Sequence, residues 1–157
     1  MGIRLIRKNI YFRPDFSRVL ARYFNISDER KIKVIKRVLS LIKSETDIAL
    51  NQLLRNFSSR HRSVVDIWER NFNRCMESPL GDEILNYSYS HRQKLLIGAY
   101  FTMEYSIESA AFFNPSIVES PDQTQLEAGQ KRIILSFRAT GEGHVSSLVF
   151  RSGIIDE

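Results

Sequence analysis

The chain has 157 residues and 18.3 kDa, 43% of them hydrophobic and 26% charged, with a formal net charge of +5. That is an ordinary globular size and composition, which excludes a disordered tail or a collagen-like chain. No apolar run approaches the roughly 18 residues that a membrane span needs, and the single cysteine, Cys75, excludes an intramolecular disulfide and a cysteine-based metal site.

The opening, Met1-Gly2-Ile3-Arg4-Leu5-Ile6, has no secretory h-region, and Ile6 stands where a myristoylation signal wants Ser or Thr. With one cysteine, this reads as a cytoplasmic protein with no membrane partner. After a short apolar and basic stretch from Ile3 to Phe12 and then Pro14, Ser27 is placed to cap a helix whose first turn carries Asp28 and Glu29. Ile32, Ile35, Leu39 and Ile42, supported by Val38, give that helix an apolar stripe, with Lys33, Lys36, Arg37 and Lys43 largely elsewhere. Ser44 with Asp47 resembles a capping box for a second helix carrying Ile48, Leu50, Leu53, Leu54 and Phe57. Val64, Val65, Trp68, Phe72, Cys75 and Met76 predict a third helix, ended by Ser78-Pro79-Leu80-Gly81, and a fourth runs from about Ser90 to Phe101.

The charge is uneven. Residues 1–105 carry 19 basic against 11 acidic residues, whereas 106–157 carry 4 against 7. The shift coincides with a change from helical to alternating patterning, so a boundary is expected near Tyr105. Downstream, Ala111 to Val118 reads as an extended segment, with Pro115 keeping Asn114 out of the helical region. A polar loop, Ser120-Pro121-Asp122-Gln123, follows. From Lys131, Ile133, Leu135, Phe137 and Ala139 alternate with Ile134, Ser136, Arg138 and Thr140, and Gly141-Glu142-Gly143 turns the chain into a strand from His144 to Arg151.

Little in the basic half points to nucleic acid: its charges are spread over several helices, mixed with acids, and lack an aromatic stacking platform. His61, His91 and His144 are far apart and have no metal-ligand spacing, so no metal is expected. His61, in Arg60-His61-Arg62, reads as a capping or exposed residue, and Cys75 as a small core residue. Glu104 and Glu108, four apart, would be a carboxylate pair if they shared a helix; plain surface or buried acceptor roles are the commoner use of such a spacing.

The run Gly98-Ala99-Tyr100-Phe101-Thr102-Met103-Glu104-Tyr105-Ser106-Ile107-Glu108-Ser109-Ala110-Ala111-Phe112-Phe113-Asn114-Pro115-Ser116, then Pro121-Asp122-Gln123, then Phe137-Arg138-Ala139-Thr140-Gly141-Glu142-Gly143-His144-Val145-Ser146-Ser147, resembles the N-terminal region of bacterial glycosidase-related proteins. These belong with the β-mannoside phosphorylases and hydrolases of glycoside hydrolase family 130. Arg13-Pro14-Asp15, Arg18-Val19 and Arg60-His61-Arg62 resemble the helical extension of that subgroup, so the likeness covers nearly the whole chain. It implies an α+β chain: a helical N-terminal domain, residues 1–105, followed in 106–157 by the first strands of a five-bladed β-propeller. Five blades need roughly 200 residues, so about one blade is expected here and the chain reads as truncated.

The resemblance also implies a β-mannoside or manno-oligosaccharide as substrate, with inorganic phosphate or water as acceptor and an aspartate as general acid. No match to the segment carrying that aspartate is present, so no catalytic residue is assigned, and the chain alone is expected to be inactive. Asn114 and Arg138 match glycone-binding positions, and their chemistry suits hydroxyl recognition: an amide donates and accepts, and a guanidinium offers a rigid fork of donors. Glu142 and His144 are secondary candidates at the turn. Besides phosphate as co-substrate, no cofactor is implied. The strands, removed from a ring, are expected to make the chain self-associate. The alternative reading is a helical interaction module that binds a protein partner, or less readily nucleic acid, through its basic half.

Overall fold

A computed structural model describes residues 9–156. The expectations for Met1 to Lys8 lie outside the described residues. The chain is mixed α+β and divides into two compact units: Ser17–Tyr105, and the residues up to Phe16 together with those from Ser106 onward.

The first unit holds strand β1 (Val19–Tyr23), helices α1 (Asp28–Leu39), α2 (Lys43–Ser58), α3 (Val64–Met76), α4 (Asp82–Leu85) and α5 (His91–Tyr100), and, as far as Tyr105, strand β2 (Thr102–Ser106). β1 pairs with β2, and the Phe24 N–H donates to the Phe101 carbonyl at 2.8 Å just beyond the strands. α1 begins after Ser27, with Asp28 and Glu29 at its positive end and Lys36 and Arg37 at its negative end, so the macrodipole is complemented at both termini. Ile35 and Val38 are buried, as is Lys31, whose ammonium donates to Asp28 at 2.9 Å and to Ser78 Oγ at 2.7 Å. Ile42, expected on the α1 stripe, is exposed, because the chain turns at Ser40 and Ile42 precedes α2.

The start of α2 also differs from the Ser44–Asp47 expectation. Glu45 accepts from the Ile42 N–H at 3.0 Å, while Asp47 faces Arg92 of α5 in an ion pair. α5 carries a full capping box: Ser90 Oγ accepts from the Gln93 N–H, and Gln93 Oε1 accepts from the Ser90 N–H at 3.0 Å. Leu95, Leu96, Ile97, Gly98 and Ala99 are all buried, so the second half of α5 is apolar all round, as a central helical segment must be. It packs on α3 closely enough that a Cβ on Gly98 would lie 1.9 Å from the Trp68 carbonyl oxygen. The core assembled on this contact includes Ile35, Leu50, Trp68, Phe72, Cys75, Ile84 and Phe101.

The second unit is an antiparallel sheet in the order β3-β4-β5, with β3 (Ala111–Glu119), β4 (Gln130–Thr140) and β5 (Ser146–Asp156). The alternation read from the sequence separates its faces. Ile133, Phe137 and Ala139 of β4 and Val149 of β5 are buried on one face, where the Phe137 ring stacks on Phe112 at 4.3 Å and meets Phe12 at 5.2 Å. Phe137 is therefore core. Phe113, Val118, Leu148 and Phe150 lie on the opposite face and are exposed. No helix among the described residues is long and apolar enough to cross a membrane.

Candidate functional site

The two residues singled out for ligand binding lie at one end of the sheet. Phe113 of β3 is registered opposite Arg138 of β4, and Arg138 opposite Leu148 of β5. The register slips between Phe113 and Ser116, so Asn114 and Pro115 form an irregularity in the strand. Asn114 is out of the right-handed helical region, as a residue before proline is expected to be. It takes φ +52°, a left-handed value that asparagine tolerates better than most residues. Its exposed amide therefore follows directly on the Phe113 ring in sequence.

The Arg138 guanidinium lies over the Phe113 ring, 5.6 Å from its centroid, and donates to Ser146 Oγ at 3.4 Å. One end of the sheet thus offers an aromatic surface, a flat cationic donor fork, an amide and a hydroxyl. That set can accept a polyhydroxylated ligand by stacking and by hydrogen bonds to vicinal oxygens.

The two turn candidates differ in role. Glu142 opens the 3-10 turn Glu142–His144, and its Oε2 accepts from the Ser106 N–H at 2.8 Å. The turn is held tightly: a Cβ on Gly141 would lie 2.0 Å from the Ser106 carbonyl oxygen, and the Gly141 N–H donates to Val145 O at 2.8 Å. Glu142 is an anchor of this turn. His144 is exposed with φ +58°.

Two clusters escaped the reading of the sequence. Glu104 is not on a helix with Glu108: it lies in β2, and Glu108 lies in the turn before β3, so no carboxylate dyad forms. Glu104 takes Arg60 Nε and Nη2, each at 2.9 Å, in a two-pronged ion pair, and lies 2.7 Å from His61 Nε2. Burial alone would raise its carboxyl, but the hydrogen bonds from Arg60 and His61 outweigh that and hold it below the ordinary range. The His61 side chain is only 7% exposed and stacks on Phe57 at 5.8 Å, so the expected exposed or capping role is replaced by a packed one.

Glu108 is fully buried within the sheet unit, where it accepts from Arg151 Nη2 at 3.1 Å and from the Asp15 N–H at 2.9 Å. It ties the segment before Phe16 to the sheet. Cys75 is buried in the helical unit, and burial pushes its thiol up to about 11. Among the described residues, no three His, Cys, Asp or Glu gather as a metal site. Compared with known proteins, the chain matches no family model, no curated protein and no solved structure.

Proposed function

We propose that this chain serves carbohydrate recognition, as the helical region and leading propeller strands of a protein of the β-mannoside phosphorylase and hydrolase kind. In this reading Asn114 and Arg138 hold the glycone against Phe113. Turnover requires an acid and a phosphate or water site that this chain does not bring. The observation that carries the reading is the Arg138 fork over the Phe113 ring at one end of a sheet, with Asn114 next to Phe113 in β3.

The test is saturation-transfer NMR with β-mannobiose on the folded chain, alongside Asn114→Ala and Arg138→Ala. Saturation of the sugar that weakens about tenfold in either variant supports the reading. No transfer at millimolar sugar overturns it. Release of mannose 1-phosphate from a β-mannoside and phosphate would overturn the absence of turnover.

A specific observation favours a second reading, that the helical unit is an interaction module. Val34, Val38, Leu41, Ile48, Ala49 and Tyr100 line an open groove of about 420 Å³, and Ile48 and Tyr100 in it are exposed. Capture of an amphipathic helix there, abolished by Ile48→Lys, would favour it.

A further inference from the structure

The two edges of the β3-β4-β5 sheet are built differently. β3 carries the Asn114-Pro115 irregularity, and a proline has no N–H to offer a neighbouring strand, so this edge is guarded against another chain. β5 has no such guard. Its eleven residues, SSLVFRSGIID, contain no proline, and it pairs with β4 from Ser146 to Asp156 without a register shift. Among the described residues, no backbone hydrogen bond joins β5 to anything but β4.

The usual protecting charge is also spent. The one basic residue, Arg151, is tied to the buried Glu108, and the one described acid, Asp156, lies at the very end of the strand. Leu148, Phe150 and Ile154 are 71%, 60% and 52% exposed. A long, straight, apolar edge of this kind is a template for a further strand.

We propose that in the 157-residue chain β5 pairs antiparallel with β5 of a second copy, about a two-fold axis through Ser152. The sequence of the strand selects this occupant and this register. Centred on Ser152, Phe150 falls opposite Ile154 of the second copy and Val149 opposite its Ile155, each contact made twice. Arg151 then faces Gly153, so no like charges meet. Centred on Arg151, two guanidinium groups would oppose each other. The closed result is a six-stranded sheet whose remaining edges are the two guarded β3 strands, so growth stops at the dimer. The inference does not depend on sugar binding.

The experiment uses the full chain. Sedimentation equilibrium across the micromolar range is expected to give a monomer–dimer equilibrium, with Phe150→Lys and Ile154→Lys weakening it at least about tenfold. Ile42→Lys, an equally exposed apolar site on the helical unit, should leave it unchanged. All three positions are exposed, and far-ultraviolet circular dichroism verifies that each variant folds. The register is read independently with Ser152→Cys, which should form an interchain disulfide under mild oxidation much faster than His144→Cys; buried Cys75 does not compete. A monomer at all concentrations, open-ended oligomers, an association indifferent to Phe150→Lys, or cross-linking of Ser152→Cys no faster than that of His144→Cys would each overturn the proposal.

Discussion

Replacing Gly98 with alanine tests whether the helical unit is built on backbone contact between α3 and α5. Local propensity alone favours the change, since alanine is better than glycine inside a helix by up to about 1 kcal/mol. The packing opposes it. The added methyl would lie 1.9 Å from the Trp68 carbonyl oxygen and 2.6 Å from its carbon, where ordinary contact begins at 3.4 Å. An overlap of about 1.5 Å against backbone cannot be relieved by a rotamer change, so the helices must separate where Trp68, Leu96 and Ile97 are fully buried. Overpacking typically costs about 1 to 3 kcal/mol, and a backbone clash belongs at or above the top of that range. The net expectation is a loss of about 2 kcal/mol or more, or roughly 8 to 16 °C in the melting temperature of a unit of this size.

Ellipticity at the helical minimum and the fluorescence of Trp68, the only tryptophan, report the transition at the site of the perturbation. Gly153→Ala, where an added Cβ meets nothing within 4 Å, is the control. A Gly98→Ala variant as stable as the parent, or more so, would refute the close-packed reading.

Three further outcomes are expected. The Glu104 carboxyl is held below its ordinary value of 4.5, so it contributes stability that is complete above that value and is lost as pH falls through the lowered folded value; Glu104→Gln should be less stable at neutral pH and show a flatter acid limb in urea titrations. Arg151→Met removes the Arg151 hydrogen-bonded ion pair from buried Glu108 and should cost about 2 kcal/mol in denaturant unfolding, with Glu108→Gln in the same chain restoring part of it. With its thiol at about 11 rather than the ordinary 9.0, Cys75 has about a hundredfold less thiolate near pH 8, so an aromatic disulfide reagent should label it at least that much more slowly in the folded chain than in urea; equal rates would contradict its burial.

The elements legible in the sequence are those whose cause is local. Ser27 with Asp28 and Glu29, Ser90 with Gln93, and the stop at Ser78-Pro79 mark helix ends within a few residues, and period-two alternation from Lys131 marks β4. β1 and β2 were missed because neither five-residue segment alternates strongly, and each is a strand only by virtue of the other, about 80 residues away. Four-residue α4 is too short for periodicity. Ile42 and Ile48 misled because apolar spacing says which side chains share a face and nothing about whether anything covers it.

At the candidate site, Asn114 and Arg138 were singled out from a resemblance and from their chemistry, whereas the positive φ of Asn114 was hidden. The Arg60–His61–Glu104 cluster spans 44 residues and had no local signature. Glu108 did leave one: a lone acid among the small and apolar residues of Ser106-Ile107-Glu108-Ser109-Ala110-Ala111 invites the question of what neutralises it.

The discontinuity of the sheet unit fixes an order of assembly. Asp15 reaches Glu108 across 93 residues, and Phe12 packs against Phe137 farther still along the chain, with the whole helical unit lying between them in sequence. On the ribosome the segment before Phe16 emerges ahead of the helical unit yet has nothing to dock on until β4 and β5 follow, while the helical unit can close on contacts within itself. The sheet should therefore gain protection from hydrogen exchange last. A fragment that starts at Ser106 would never gain it in full, because the Phe12 ring that covers Phe137 would be missing.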